Sequence, residues 1–75
     1  GSNTINAPLP GQITKLFVTE GDTIEKGQKV FVLEAMKMEN EVNATAGGTI
    51  IDIKFNEGDS VNQGDPIILL KQPED

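Results

Sequence analysis

The chain is written twice. With Gly11 laid on Gly48, an offset of 37 residues, GQITKLFVTEGDTIEKGQKVFVLE (11–34) runs along GTIIDIKFNEGDSVNQGDPIILLK (48–71) without a gap. Gly11, Ile13, Glu20, Gly21, Asp22, Gly27 and Leu33 meet Gly48, Ile50, Glu57, Gly58, Asp59, Gly64 and Leu70. Leu16/Ile53, Thr23/Ser60, Ile24/Val61 and Val30/Ile67 keep their character, and Ala7 falls on Ala44. A register held through glycines and apolar positions together marks an internal duplication. It predicts two halves related by a pseudo-two-fold axis, so whatever the first half folds into, the second must repeat.

Each half carries the same punctuation. Apolar β-type residues come first, then Glu-Gly-Asp, a short apolar step, a Gly-containing turn and a four-residue apolar strand. Glu20-Gly21-Asp22 and Glu57-Gly58-Asp59 read as turns, since Gly supplies positive φ and Asp bonds nearby backbone. Lys26-Gly27 and Gln63-Gly64 read as hairpin loops with Gly at the left-handed position. No window of ten or more residues has helical periodicity. The expected fold is all-β, about four short strands per half, packed on itself as a flattened barrel or sandwich. At 75 residues the chain is one domain, with a core from about residue 5 to 71. Gly1-Ser2 reads as a cloning scar and Gln72–Asp75 as a loose tail.

Between the halves lies EAMKMEN (34–40), and its register can be tested. If Met36 and Lys37 are the two central turn residues, Ala35 pairs with Met38. One face then holds Phe31, Leu33, Ala35, Met38, Asn40, Val42 and Ala44, and the other Val30, Val32, Glu34, Glu39, Glu41 and Asn43. A three-residue loop would instead mix Phe31 and Leu33 with Glu39 and Glu41, and a slip of one residue flips a strand. The two-residue turn is therefore expected, with Lys37 at the extreme tip, Met38 leaning into the core edge and Met36 on the turn. Met-Lys is a poor choice for such a turn, which asks for positive φ and favours Asn-Gly. A broken local rule is what a functional site often looks like. Shifting the Phe31/Val42 pair by 37 residues gives Ile68/Ile5, so the N-terminal segment should pair with the last strand and both termini should lie at the pole opposite Lys37.

Composition excludes several functions. There is no His or Cys, which removes the commonest general base, thiolate metal sites and disulfides. An enzyme acting alone is not expected, and no catalytic residue is assigned. The repeat places its Glu-Gly-Asp carboxylates at two separate turns rather than in one metal site, so no metal ligands are assigned. Twelve acids against six lysines give a net charge of −6, which disfavours nucleic acid, and no Trp or Tyr offers a base a stacking face. The longest apolar runs, such as Ile67–Leu70, are far too short for membrane insertion. The other lysines (Lys15, Lys26, Lys29, Lys54, Lys71) read as ordinary solvated side chains.

Ala35-Met36-Lys37-Met38 preceded by Glu34, between two Glu-Gly-Asp halves and after Ala-Pro-Leu-Pro-Gly (7–11), resembles the biotinyl, or biotin carboxyl carrier, domains over essentially the whole chain. The resemblance implies a flattened β-barrel of two four-stranded antiparallel sheets, here without the protruding thumb loop of some family members. It implies biotin attached covalently to Lys37 through an amide on Nζ, with Glu34, Ala35, Met36 and Met38 recognised by partners. Those partners would be a biotin protein ligase, a biotin carboxylase and a carboxyltransferase or decarboxylase component. The domain would be a non-catalytic carrier, monomeric by itself, in a cytoplasmic enzyme that is a carboxylase, decarboxylase or transcarboxylase. Two alternatives stand beside it. A lipoyl carrier shares the fold and modifies a lysine at the same tip, but usually within Asp-Lys-Ala. An unmodified β adaptor would leave Lys37 bare.

Overall fold

A computed structural model of the chain describes residues 2–72. Eight strands follow in order: β1 (Ser2–Asn6), β2 (Gly11–Leu16), β3 (Thr23–Ile24), β4 (Lys29–Ala35), β5 (Met38–Asn43), β6 (Gly48–Ile53), β7 (Ser60–Val61) and β8 (Pro66–Lys71). They form two four-stranded antiparallel sheets, β1-β8-β6-β3 and β5-β4-β2-β7. The sheets are copies of each other at the offset of the repeat, and each is built from both halves. β1 and β3 of the first half join β8 and β6 of the second, and β5 and β7 of the second join β4 and β2 of the first.

Hydrogen bonding repeats with the sequence. Among the described residues, every backbone hydrogen bond outside the strand ladders has a counterpart 37 residues away, as in Gly21 N to Ile50 O and Gly58 N to Ile13 O, at 2.8 and 2.7 Å. Each Glu-Gly-Asp turn has its glycine at positive φ, 93° for Gly21 and 95° for Gly58. Asp22 Oδ2 accepts from Thr19 N and Asp59 Oδ2 from Asn56 N, both at 2.9 Å. The glutamates do more than turn the chain. Glu57 Oε2 accepts from Leu16 N at 2.9 Å and Glu20 Oε2 from Ile53 N at 3.5 Å, so each reaches into the other half just past a bulge in β2 or β6. These donors would otherwise lack a ladder partner.

The Gly27 and Gly64 turns differ from expectation. Both glycines have positive φ (90° and 89°), but the loops are not hairpins: β3 and β4 lie in different sheets, as do β7 and β8. The chain crosses between layers there. Two-residue strands are too short to hold a hairpin by themselves and pair with β6 and β2 instead.

The inner faces supply one core. Ile5, Ile13, Ile24, Val30, Phe31, Leu33, Ile50, Val61, Ile67, Ile68 and Leu70 are buried in it, Phe31 being the largest. Val30 sits here rather than on the outer face expected of it. The pairing of β4 with β5 slips between Lys29 and Phe31, and that bulge turns Val30 inward beside Phe31. Ile67, its counterpart, is buried beside a matching irregularity between β1 and β8. Val32 is buried too but lies outside the core cluster, on the outer face.

The molecule is elongated, 42 × 18 × 17 Å. β4 and β5 meet at one pole. β5 leads away from it, and at the far end Thr49 pairs with Lys71, which pairs with Ser2. The terminal strands therefore lie opposite the β4–β5 turn. Gln72 is half-buried rather than loose, while residues 73–75 of the expected tail lie outside the described residues.

Candidate functional site

The β4–β5 hairpin has the two-residue turn. Phe31 pairs with Val42, Val32 with Glu41, Leu33 with Asn40, Glu34 with Glu39 and Ala35 with Met38. Met36 and Lys37 take φ of 54° and 65°, the only non-glycine residues at positive φ among those described. That geometry closes the shortest hairpin with the twist the strands need. It sets two L side chains in the left-handed region, at a cost of roughly 1–2 kcal/mol each. The conflict between Met-Lys and its turn type is thus real, and it sits at one point of the molecule.

Around that point the side chains divide sharply. Ala35 is buried, whereas Lys37 and Glu34 are exposed. Met36 is 91% exposed and Met38 65%. The expectation that Met38 leans into the core edge is overturned. Ala35, its partner in the last pair of the ladder, is buried outside the core cluster, while Met38 projects into solvent beside the turn. Removing Met38 therefore belongs with surface substitutions, within about 0.5 kcal/mol. Among the described residues Lys37 makes no hydrogen bond or ion pair, so its amine is open to approach. Glu34 and Glu39 face each other directly behind it, a like-charge cross-strand pair that strand stability alone disfavours.

Two supports were not foreseen. Asn40, expected only as a member of the apolar face, is half-buried and its Nδ2 reaches Leu33 O and Met38 O through long bonds of 3.4 and 3.3 Å. One polar residue on an apolar face was the signal. Gly11 lets the start of β2 press against the hairpin, since a Cβ there would overlap the Glu34 carbonyl oxygen. Its place in the repeat was visible, but not what it approaches. Lys29 joins Glu41 at 3.1 Å and lies 5.0 Å over the Phe17 ring, toward the far end of the same sheet. Among the described residues no group of His, Cys, Asp or Glu is arranged to hold a metal ion.

Residues 3–70 match the family described as "Biotin-requiring enzyme". The chain belongs to this family. It is similar to the biotin carboxyl carrier protein of Streptococcus mutans, 55% identical over 40 residues, which is 53% of this chain and 31% of that protein. Further relatives are named as decarboxylase and carboxyltransferase subunits. The chain thus spans about a third or less of these relatives. Among solved structures, a single-chain, multi-domain long-chain acyl-CoA carboxylase superposes with a TM-score of 0.89 at 27% identity, over 99% of this chain and 8% of that one. The lipoyl domain of the 2-oxoglutarate dehydrogenase complex from Azotobacter vinelandii superposes with a TM-score of 0.79 at 27% identity, covering 95% of this chain and 98% of that domain. The biotinyl fold is therefore shared with lipoyl domains, and the sequence relatives separate the two. This chain is a biotinyl domain whose fold matches carrier domains of biotin-dependent enzymes.

Proposed function

We propose that Lys37 is the attachment point for biotin and that the domain carries a carboxyl group between the active sites of a biotin-dependent carboxylase, decarboxylase or transcarboxylase. One observation carries this reading. An exposed lysine stands on a strained two-residue turn, between two exposed methionines, at the pole opposite the terminal strands. The arrangement fits an amide-linked cofactor, because Lys37 is exposed and unpaired among the described residues and the turn fixes the direction in which the side chain leaves. Bound biotin supplies a ureido nitrogen that takes up and releases the carboxyl group.

The chain's own residues do the rest. The Lys37 Nζ attacks the acyl carbon that a biotin protein ligase has activated, the activating group departs, and the amine loses a proton to the ligase or solvent. Met36 and Met38 offer apolar contact to the ligase and to the carboxylase and transferase or decarboxylase components. Glu34 borders the same approach. Ala35 and Asn40 hold the tip, so the arm swings from a fixed base. Tethering raises the effective concentration of the arm at both active sites. No residue here catalyses a step, and the domain acts as a monomeric module of a cytoplasmic enzyme.

Intact mass after incubation with biotin, ATP and a biotin protein ligase tests the reading, with Lys37→Arg alongside. One biotin mass gained by the natural chain and none by Lys37→Arg, which keeps the fold, is the expected outcome. Labelling of Lys37→Arg on another lysine overturns the site. No labelling of the natural chain, with uptake from a lipoate ligase instead, would move the cofactor to lipoate.

A further inference from the structure

The chain has two sulfur atoms in all, those of Met36 and Met38, and they flank Lys37. Cys, His, Trp and Tyr are absent, so no other side chain is readily attacked by a mild oxidant. Both thioethers stand in solvent, 91% and 65% exposed, and neither belongs to the core. In an ordinary small domain methionines fill gaps in the interior. Here the sulfur is confined to the one place where a partner must touch the protein.

We propose that Met36 and Met38 are an oxidation site for peroxide-class oxidants that gates modification of Lys37, an inference that rests on the reading of Lys37 above. The sulfur lone pair attacks a peroxide oxygen, an S–O bond forms and the O–O bond breaks. The hydroxide released takes the proton from the new hydroxyl, leaving a sulfoxide and water. Sulfur loses two electrons, which reduce the peroxide. An apolar, flexible side chain becomes polar and chiral, and methionine sulfoxide reductases reverse the change. The fold is left intact, because the oxygens add to exposed side chains and the turn is held by backbone pairing and Asn40. What changes is the apolar contact presented on either side of the lysine.

The test uses the whole 75-residue chain treated with hydrogen peroxide until intact mass shows two added oxygens. Circular dichroism and thermal unfolding are expected to match the untreated protein. Biotin uptake from a ligase is expected to slow about tenfold, the equivalent of about 1.4 kcal/mol of lost contact, and to recover after the two stereospecific sulfoxide reductases. In Met36→Leu/Met38→Leu, whatever its own uptake rate, peroxide should leave that rate unchanged. Equal uptake by the reduced and doubly oxidised chains overturns the gate alone. A reduced control that takes no biotin on Lys37 overturns the attachment reading first. Loss of fold on oxidation also overturns the proposal.

Discussion

The two poles of this molecule are made from equivalent strands and end differently. At one, β4 passes into β5 through Met36 and Lys37. At the other, β8 and β1 lie side by side with the same register relation, Ile5 opposite Ile68 as Val42 is opposite Phe31, and no turn joins them among the described residues. Core, crossovers and bulges are duplicated, whereas among the described residues the strained turn occurs once. A symmetric fold thus supplies two equivalent strand pairs, and the described turn distinguishes one of them. The outer surfaces have diverged in the same way. The Lys54–Asp52 pair at 2.7 Å has Phe17 and Lys15 as its counterparts, and Lys29–Glu41 has Pro66 and Thr4.

If the halves are energetically equivalent, their core counterparts should fail alike. Phe31→Ala and Ile68→Ala, both fully buried, should each cost about 2–5 kcal/mol, read from urea unfolding. A loss confined to one of them would break the equivalence. Gly11→Ala and Gly48→Ala come next, because a Cβ at either collides with the carbonyl of a neighbouring strand end, Glu34 or Lys71. Each should destabilise by about 1–3 kcal/mol. Only Gly11→Ala should also slow biotin uptake, since only it displaces the hairpin that bears Lys37. Equal effects on uptake would show that the platform, not the tip, is what partners read.

The turn itself should separate stability from function. Met36→Asn places a residue that tolerates positive φ where methionine is strained, and should stabilise the fold by about 1 kcal/mol while lowering uptake. The smallest effect concerns Asp52. Its hydrogen bond from Lys54 holds the carboxyl below its ordinary value of 3.8. A group depressed in the folded state stabilises above its unfolded value, and that contribution is lost as pH falls below about 4. Because the pair is exposed, the effect is slight. Asp52→Asn should flatten the acid-side slope of stability slightly. An unchanged slope in Asp52→Asn would show that the pair contributes nothing to stability.

Much of this was legible in the residues. Repeated glycines and apolar positions fixed two like halves, and the face pattern of 30–44 chose the two-residue turn, because a slip would have put Glu39 and Glu41 into the core. The same alternation placed Lys37 at the tip, and the offset of the repeat placed the termini opposite it. Tertiary structure decided the rest. The exchange of β3 and β7, which makes crossovers of the Gly27 and Gly64 turns, follows from strands too short to pair locally. Val30 turns inward through a bulge that alternation cannot register, and Met38 is exposed because the sheet runs out beneath it. Periodicity reports which face a side chain takes in a regular strand. It is silent where a strand slips or ends, and there only the packing of both halves settles what is buried.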